Sequence, residues 1–238
     1  MGTRLDPLTR ISNKHLLPVG TVPMIFHPIR ALVDAGIREI MVVTGGNHAG
    51  DFLRLLGNGE DFGLRHIDYA YQKGEGGIAD ALALAQHFAA GEKIVVILGD
   101  NIFSAKIGPE VEKFRRQGRG ARILLKKVPD PQRFGTAVFS NGSSASELLR
   151  IEEKPKRPKS NYIVTGIYMY DGRVFDVVRT LKPSRRGELE ITDVNNRYLE
   201  RGELTHGILK GWWTDCGTFD SLLRANNLVT RLNGVKVR

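Results

Sequence analysis

The run Ile94-Val95-Val96-Ile97-Leu98, followed at once by Gly99-Asp100-Asn101, decides the fold. Five apolar residues in a row cannot alternate a wet face with a dry one, so they predict a strand buried on both faces. Ile40-Met41-Val42-Val43 before Gly45-Gly46 repeats the pattern. Helical spacing lies beside these runs, in Ile29, Leu32 and Val33 ahead of Gly36 and in Ala79 to Ala90 ahead of Gly91. Alternating strands and helices predict an α/β domain whose sheet is mixed, mainly parallel and flanked by helices, with right-handed crossovers. Ligands of such sheets sit at the carboxyl ends of the strands, where Gly45-Gly46 and Gly99-Asp100-Asn101 fall.

Beyond residue 120 the pattern shortens. Strands are predicted at Ile123 to Lys127, Thr136 to Phe139, Leu148 to Ile151 and Tyr162 to Tyr170, with turns at Asp130-Pro131 and Ser140-Asn141-Gly142. Helical patterns return at Arg173 to Thr180, Ile191 to Arg201 and Thr218 to Arg231. In the last, Thr218 is a candidate N-cap and Phe219, Leu222, Leu223 and Val229 a candidate apolar stripe. The 238 residues suffice for one domain with a well-filled core. The expected halves meet near residue 120.

Composition narrows the class. Hydrophobic residues make up 41% and charged residues 26%, as in a water-soluble globular chain. No apolar run approaches the roughly 20 residues of a membrane span, and no secretory leader opens the sequence, so a cytoplasmic protein without membrane contact is expected. Cys216 is the single cysteine and has no partner for an internal disulfide. The net charge of +9 raises the question of nucleic acid. Its clusters, Arg115-Arg116 to Arg122, Lys154 to Lys159 and Arg185-Arg186, are scattered between apolar segments, with no helix-turn-helix, zinc-ligand or RNP-like pattern. A small anionic ligand accounts for the charge more economically, and no nucleic-acid partner is expected.

The first residues suit such a ligand. Gly2, Thr3 and Arg4, with Lys14 ten residues on, combine a tight turn, free backbone N–H groups and two cations of different geometry, fit for different phosphates of one polyphosphate. Asp100 stands at the ligand edge of its strand. A second acid that could share a magnesium ion with it is Asp215, in Trp212-Trp213-Thr214-Asp215-Cys216-Gly217-Thr218, although an aspartate ahead of a helix serves equally as a cap.

Taken whole, MGTRLDPLTRISNKHLLPVGTVPMIFHPI resembles the signature segment of the sugar-1-phosphate nucleotidyltransferases, GGxGTRLxPLTxxxxKxLLPVxxxPMI. That family's segment follows a short apolar strand and two glycines, and this chain opens inside the motif, so its true start is expected upstream. Further matches run along the chain. Leu98-Gly99-Asp100-Asn101 and Trp213-Thr214-Asp215-Cys216-Gly217-Thr218 resemble the family's LGDN and WxDxGT, Glu152-Glu153-Lys154-Pro155 its EEKP, Asn161 to Tyr168 its NYxVTGxY, and Arg186 to Asp193 its RGELEITD.

The resemblance implies a Rossmann-like nucleotidyltransferase fold, with a nucleotide-binding half over about residues 1–120 and a strand-rich sugar-binding half over about 121–238. It implies transfer of a nucleotidyl group from a nucleoside triphosphate, dTTP above all, to a hexose 1-phosphate, glucose 1-phosphate above all, in a Mg²⁺-dependent enzyme of nucleotide-sugar biosynthesis. Asp100 and Asp215 would share the metal. Arg4, Lys14 and Lys154 would be the catalytic cations. Gly2, Thr3, Gln72 and Gly77 would bind the nucleotide, and Asn101, Gly135, Glu153, Val164 and Tyr168 the sugar. Cys216 replaces the family's usual threonine and is expected to be a buried residue without a catalytic part. Lys73-Gly74-Glu75-Gly76 replaces the proline-rich middle of the family's base-binding loop, which leaves thymine and uracil both open. A nucleotide-sugar sensor without turnover is the rival from another class, and self-association into a homo-oligomer stays open.

Overall fold

The computed structural model describes residues 3–142, 144 and 146–232. Its spine is the strand Tyr162–Tyr170, buried from Ile163 onward. One edge of this strand pairs antiparallel with Ala121–Lys127, which in turn pairs parallel with Leu204–Ile208. The other edge is divided. Ile167 to Tyr170 face Ile97 to Ile94 of one strand, whereas Ile163 faces Thr136 of Gly135–Phe139, which carries Leu148–Glu153 on its outer side. The division falls where the register against Ala121–Lys127 shifts, between Val164 and Tyr168. An irregularity of this kind bends a strand and frees it from one partner. The six-stranded sheet therefore forks, and the Ile94–Ile97 strand and the Gly135–Phe139 hairpin diverge from a common stem.

Glu39–Gly45 and His66–Gln72 form a separate parallel pair in full register, with Gly45 opposite Gln72 at their carboxyl ends. Ile40, Val42 and Ile67 pack with Ile29 and Leu32 of the helix Phe26–Asp34 and with Phe52 and Leu56 of the helix Ala49–Leu56; Val95 and Ile97 lean on the same cluster. Asn101–Phe103 pairs antiparallel with Trp213–Asp215, which leads into the helix Phe219–Leu232. Leu5, Val19 and Met24 are fully buried against Ile102, Cys216, Leu222 and Ala225, which ties the beginning of the chain to its last helix. Among the described residues no helix is long and apolar enough to cross a membrane.

The sheet is mixed, as expected, but its parallel share is smaller than alternation suggested. The Tyr162–Tyr170 strand runs against all three of its neighbours, and among the described residues parallel pairing is confined to Glu39–Gly45 with His66–Gln72 and Ala121–Lys127 with Leu204–Ile208. Ile94–Ile97 is half-buried along its length rather than covered. The single helix expected from Ala79 to Ala90 is two short ones, Ile78–Ala83 and Gln86–Ala89, closed by Ala90 in the left-handed region at φ 48°. In the last helix Ser221 N–H donates to Thr218 Oγ1, so Thr218 is the cap. Its buried stripe is Leu222, Ala225 and Val229, while Phe219 and Leu223 face outward.

Candidate active site

The turn after Ile94–Ile97 is tied into the fork. Leu98 N–H donates to Gly166 C=O at 2.8 Å, and Asn101 N–H reaches back to Leu98 C=O at 3.0 Å. Asn101, expected at the sugar, is only 3% exposed, and its oxygen accepts from Gly166 N–H (2.9 Å) and the Trp213 indole (2.8 Å). Its amide donates to Asp100 Oδ1 at 3.0 Å. Its contacts are therefore to the chain itself, and they aim Asp100. Gly166 is glycine for the same reason: a Cβ there would lie 2.5 Å from the Asn101 amide nitrogen.

Lys14 Nζ donates to Asp100 Oδ2 at 2.5 Å. Burial alone would raise the Asp100 carboxyl, but the Lys14 charge and the hydrogen bonds outweigh it and hold the group down at about 2. Lys14 is set by a short turn in which Asn13 Oδ1 accepts from His15 N–H and meets the His15 ring nitrogen at 2.8 Å. The His15 ring, packed beside Gly99, is pushed down to about 4, chiefly by burial and then by Lys14. It is neutral at physiological pH.

Asp215 comes from the adjoining strand, where it is the register partner of Asn101, and Cys216 N–H donates to Asp100 C=O at 2.9 Å. Arg133 donates to Asp215 Oδ2 at 3.1 Å and to Asp130 at 2.8 Å. Its guanidinium lies 5.0 Å over the Phe134 ring, which meets Trp213 edge-on. Burial raises the Asp215 carboxyl, opposed by Arg133, with the Asp100 charge raising it further and Arg4 lowering it. A Cβ on Gly217 would stand 2.9 Å from Asp215 Oδ2 and 3.4 Å from an Arg4 nitrogen, so this glycine leaves room for the Arg4 and Asp215 side chains beside it. Cys216 is fully buried, its thiol pushed up to about 12 by burial and the two aspartates. It is inert as a nucleophile.

The pair Asp100 and Asp215 is a hard-oxygen donor set of the kind Mg²⁺ accepts when substrate phosphates and water complete its shell. Among the described residues no group of three or more His, Cys, Asp or Glu is placed to hold a metal ion.

Across the fork, Glu153 Oε2 accepts from the Thr192 hydroxyl at 2.6 Å. Gly135 is the register partner of Glu153, and a Cβ on it would come 3.1 Å from Thr192 Oγ1 and 3.4 Å from Glu153 Oε2. The glycine keeps that space open. Lys154 follows in the left-handed region at φ 42°, an unfavourable setting for a residue with a side chain, with Nζ 3.6 Å from Glu153. Arg186 Nη2 is 2.8 Å from Glu190 and 3.5 Å from both Glu188 and Glu153. Val164 and Tyr168 are buried on the spine. The Tyr168 hydroxyl is raised by burial first, then by the charges of Glu153 and Asp100, so it lies within electrostatic reach of both.

In the half expected to take the nucleotide, Gln72 ends its strand and donates to Gly77 C=O and to Asp80. Gly77, at φ 93°, could not carry a Cβ, which would sit 2.5 Å from Leu189 C=O. Leu189 N–H also donates to Gly76 C=O (2.8 Å), and Ala79 N–H to Leu189 C=O (3.2 Å), which stitches this loop to the Arg186–Glu190 segment. Gly2 lies outside the described residues, and of Thr3 only the backbone is described. Arg133 and Asp80 were not singled out in the sequence; the one signal for Arg133 was its place beside Phe134-Gly135.

Comparison with known proteins accords with this geometry. The family model described as nucleotidyl transferase matches residues 1–231. The chain is 42% identical over 238 residues to a glucose-1-phosphate thymidylyltransferase of Neisseria meningitidis, covering 99% of this chain and 81% of that protein. It is 43% identical over 242 residues to one of Mycolicibacterium smegmatis, covering 99% and 82%. A crystal structure of a Bacillus anthracis protein assigned as a glucose-1-phosphate thymidylyltransferase, complexed with sucrose, superposes with a TM-score of 0.90 at 51% identity over 100% of this chain and 92% of that one. Apo UDP-glucose pyrophosphorylase shares the fold at 21% identity, with a TM-score of 0.82 over 98% and 95%. With a family match over nearly the whole chain and relatives above 40% identity, the protein belongs to the nucleotidyl transferase family and is a nucleotidyltransferase.

Proposed function

We propose that the protein transfers the thymidylyl group of dTTP to glucose 1-phosphate, forming dTDP-glucose and pyrophosphate. The observation that carries this conclusion is the pairing of Asp100 and Asp215 with the cations Lys14 and Arg133, across the fork from Glu153, Thr192 and Lys154. Two polyanions must meet in such a reaction, and the two arms of the fork carry cations for both. The thymidylyltransferases of Neisseria and Mycolicibacterium support the choice of dTTP and glucose.

The nucleophile is a phosphate oxygen of the sugar phosphate, ionised near neutral pH, so no general base is needed and the neutral His15 is not recruited. That oxygen attacks the α-phosphorus, and the bond to the bridging oxygen breaks with its electrons leaving on pyrophosphate. Asp100 and Asp215 would hold Mg²⁺, which when bound neutralises phosphate oxygens of the donor. Arg4 and Lys14 would take the triphosphate, and Lys154 with Arg186 the sugar phosphate, cancelling repulsion and aligning the reacting atoms. Glu153, its geometry fixed by Thr192, would accept hydrogen bonds from sugar hydroxyls in the space kept by Gly135, beside Tyr168 and the backbone at Val164.

The test is Mg²⁺-dependent release of pyrophosphate from dTTP and glucose 1-phosphate, with UTP alongside. Asp100→Asn should lower turnover at least about a hundredfold while sugar-phosphate binding changes little. Near-normal turnover in the variant removes Asp100 from the metal site, and a folded wild-type protein that releases nothing leaves the sensor reading in place.

A further inference from the structure

We propose that Asp80 is a positioning residue that fixes which atom of the Gln72 amide faces the base, and so selects a pyrimidine that carries a proton on N3. The proposal rests on the placement of the nucleotide at Gln72 in the function proposed above.

Gln72 Nε2 donates to Gly77 C=O at 3.0 Å and to Asp80 Oδ2 at 2.8 Å. Both partners are acceptors, one of them a carboxylate. A flipped amide would press Oε1 against both, so the assignment of nitrogen and oxygen follows from chemistry. The amide has two hydrogens, and both are used. Among the described residues Oε1 accepts no hydrogen bond, which leaves a pure acceptor for a ligand. Thymine and uracil present N3–H, a donor, whereas cytosine presents a lone pair at N3 and would set acceptor against acceptor. A site built around one hydrogen-bonding pattern discriminates strongly against the reversed one.

The loop is shaped around the carboxylate. A Cβ on Gly76 would collide with Asp80 Oδ2, so Gly76 leaves the acid room to reach back over the first turn of Ile78–Ala83. An acid in a first helical turn also has a purely local use, in satisfying the helix end. That use predicts no effect on the choice of base.

The experiment is calorimetric binding of dTTP and dCTP in the presence of Mg²⁺, with kcat and KM measured in parallel, for wild type, Asp80→Asn, Asp80→Ala, Gln72→Leu and the Gln72→Leu/Asp80→Asn double variant. Wild type is expected to bind dTTP at least about tenfold more tightly than dCTP. Asp80→Ala should narrow that ratio to within about threefold, whereas Asp80→Asn, whose amide oxygen can still accept from Gln72 Nε2, should keep most of it, with the KM for glucose 1-phosphate unchanged and the double variant no worse than Gln72→Leu alone. A folded Asp80→Ala variant that keeps the wild-type ratio, or that loses both nucleotides equally, overturns the proposal, as do an Asp80→Asn variant that discriminates no better than Asp80→Ala and a wild type without preference. Failure of the transferase function shows separately: no pyrophosphate release from a wild type that still discriminates through Asp80 refutes the reaction and leaves the role of Asp80 standing.

Discussion

Acidifying the protein from neutrality should cost it stability through His15, by an amount the structure sets. The ring is held at about 4 against a reference of 6.5, because burial and the Lys14 ammonium both oppose a second positive charge. Between those values the unfolded chain binds the proton and the folded chain does not, so stability falls as pH is lowered through the window. At about pH 4.5 the linkage relation gives a loss near 2.5 kcal/mol, against about 0.2 kcal/mol at pH 7. The Asp100 carboxyl, held at about 2, adds its own loss only below the window, as pH falls under its reference of 3.8. His27 is also lowered by burial, so the total slope is not that of His15 alone. The comparison is therefore between wild type and His15→Gln, unfolded in urea at pH 7 and about pH 4.5. The wild type should lose about 2 kcal/mol more than the variant over that interval. Equal losses would mean that the ring takes up its proton in the folded state as readily as in water, and the account of how Lys14 is set against Asp100 would be wrong.

Gly166→Ala should lower the melting temperature, by the equivalent of about 1–3 kcal/mol, because the new methyl would meet the Asn101 amide and the Leu98 side chain; an unchanged melting curve would refute the close packing at the fork. Arg133→Gln removes a cation from Asp215 and should tighten Mg²⁺ binding to the substrate-free protein on the order of fivefold in calorimetry, whereas unchanged affinity would show that Arg133 and the metal do not compete for one carboxylate.

Local pattern carried a good part of the fold. The strand Ile94–Ile97 ahead of Asp100, the Thr218 cap and the strand Tyr162–Tyr170 could be read because each is written in contiguous residues. Pairing direction could not, since it depends on which distant strand a segment meets, and so the antiparallel weight of the sheet was missed. Phe219 and Leu223 fit a helical stripe by spacing, yet packing against Val19 and Ile102 chose the neighbouring face through Leu222 and Ala225. Lys14 and Asp100, 86 residues apart, were connected only through the family's motifs. Arg133 and Asp80 escaped because their meaning lies in what they touch: an arginine near a proline turn and an acid in a short helix look ordinary until Asp215 and Gln72 are beside them.

The stitching of Gly76 and Ala79 to Leu189 has a thermodynamic consequence. The loop that would grip the base and the strip that carries Arg186, Glu188 and Glu190 share backbone hydrogen bonds, so whatever orders one restrains the other. Whichever substrate arrives first would bear most of the entropy of stilling this seam, and the second would find it already still. Affinities of the two substrates should then rise together and by the same factor, since a free energy of coupling has no preferred direction.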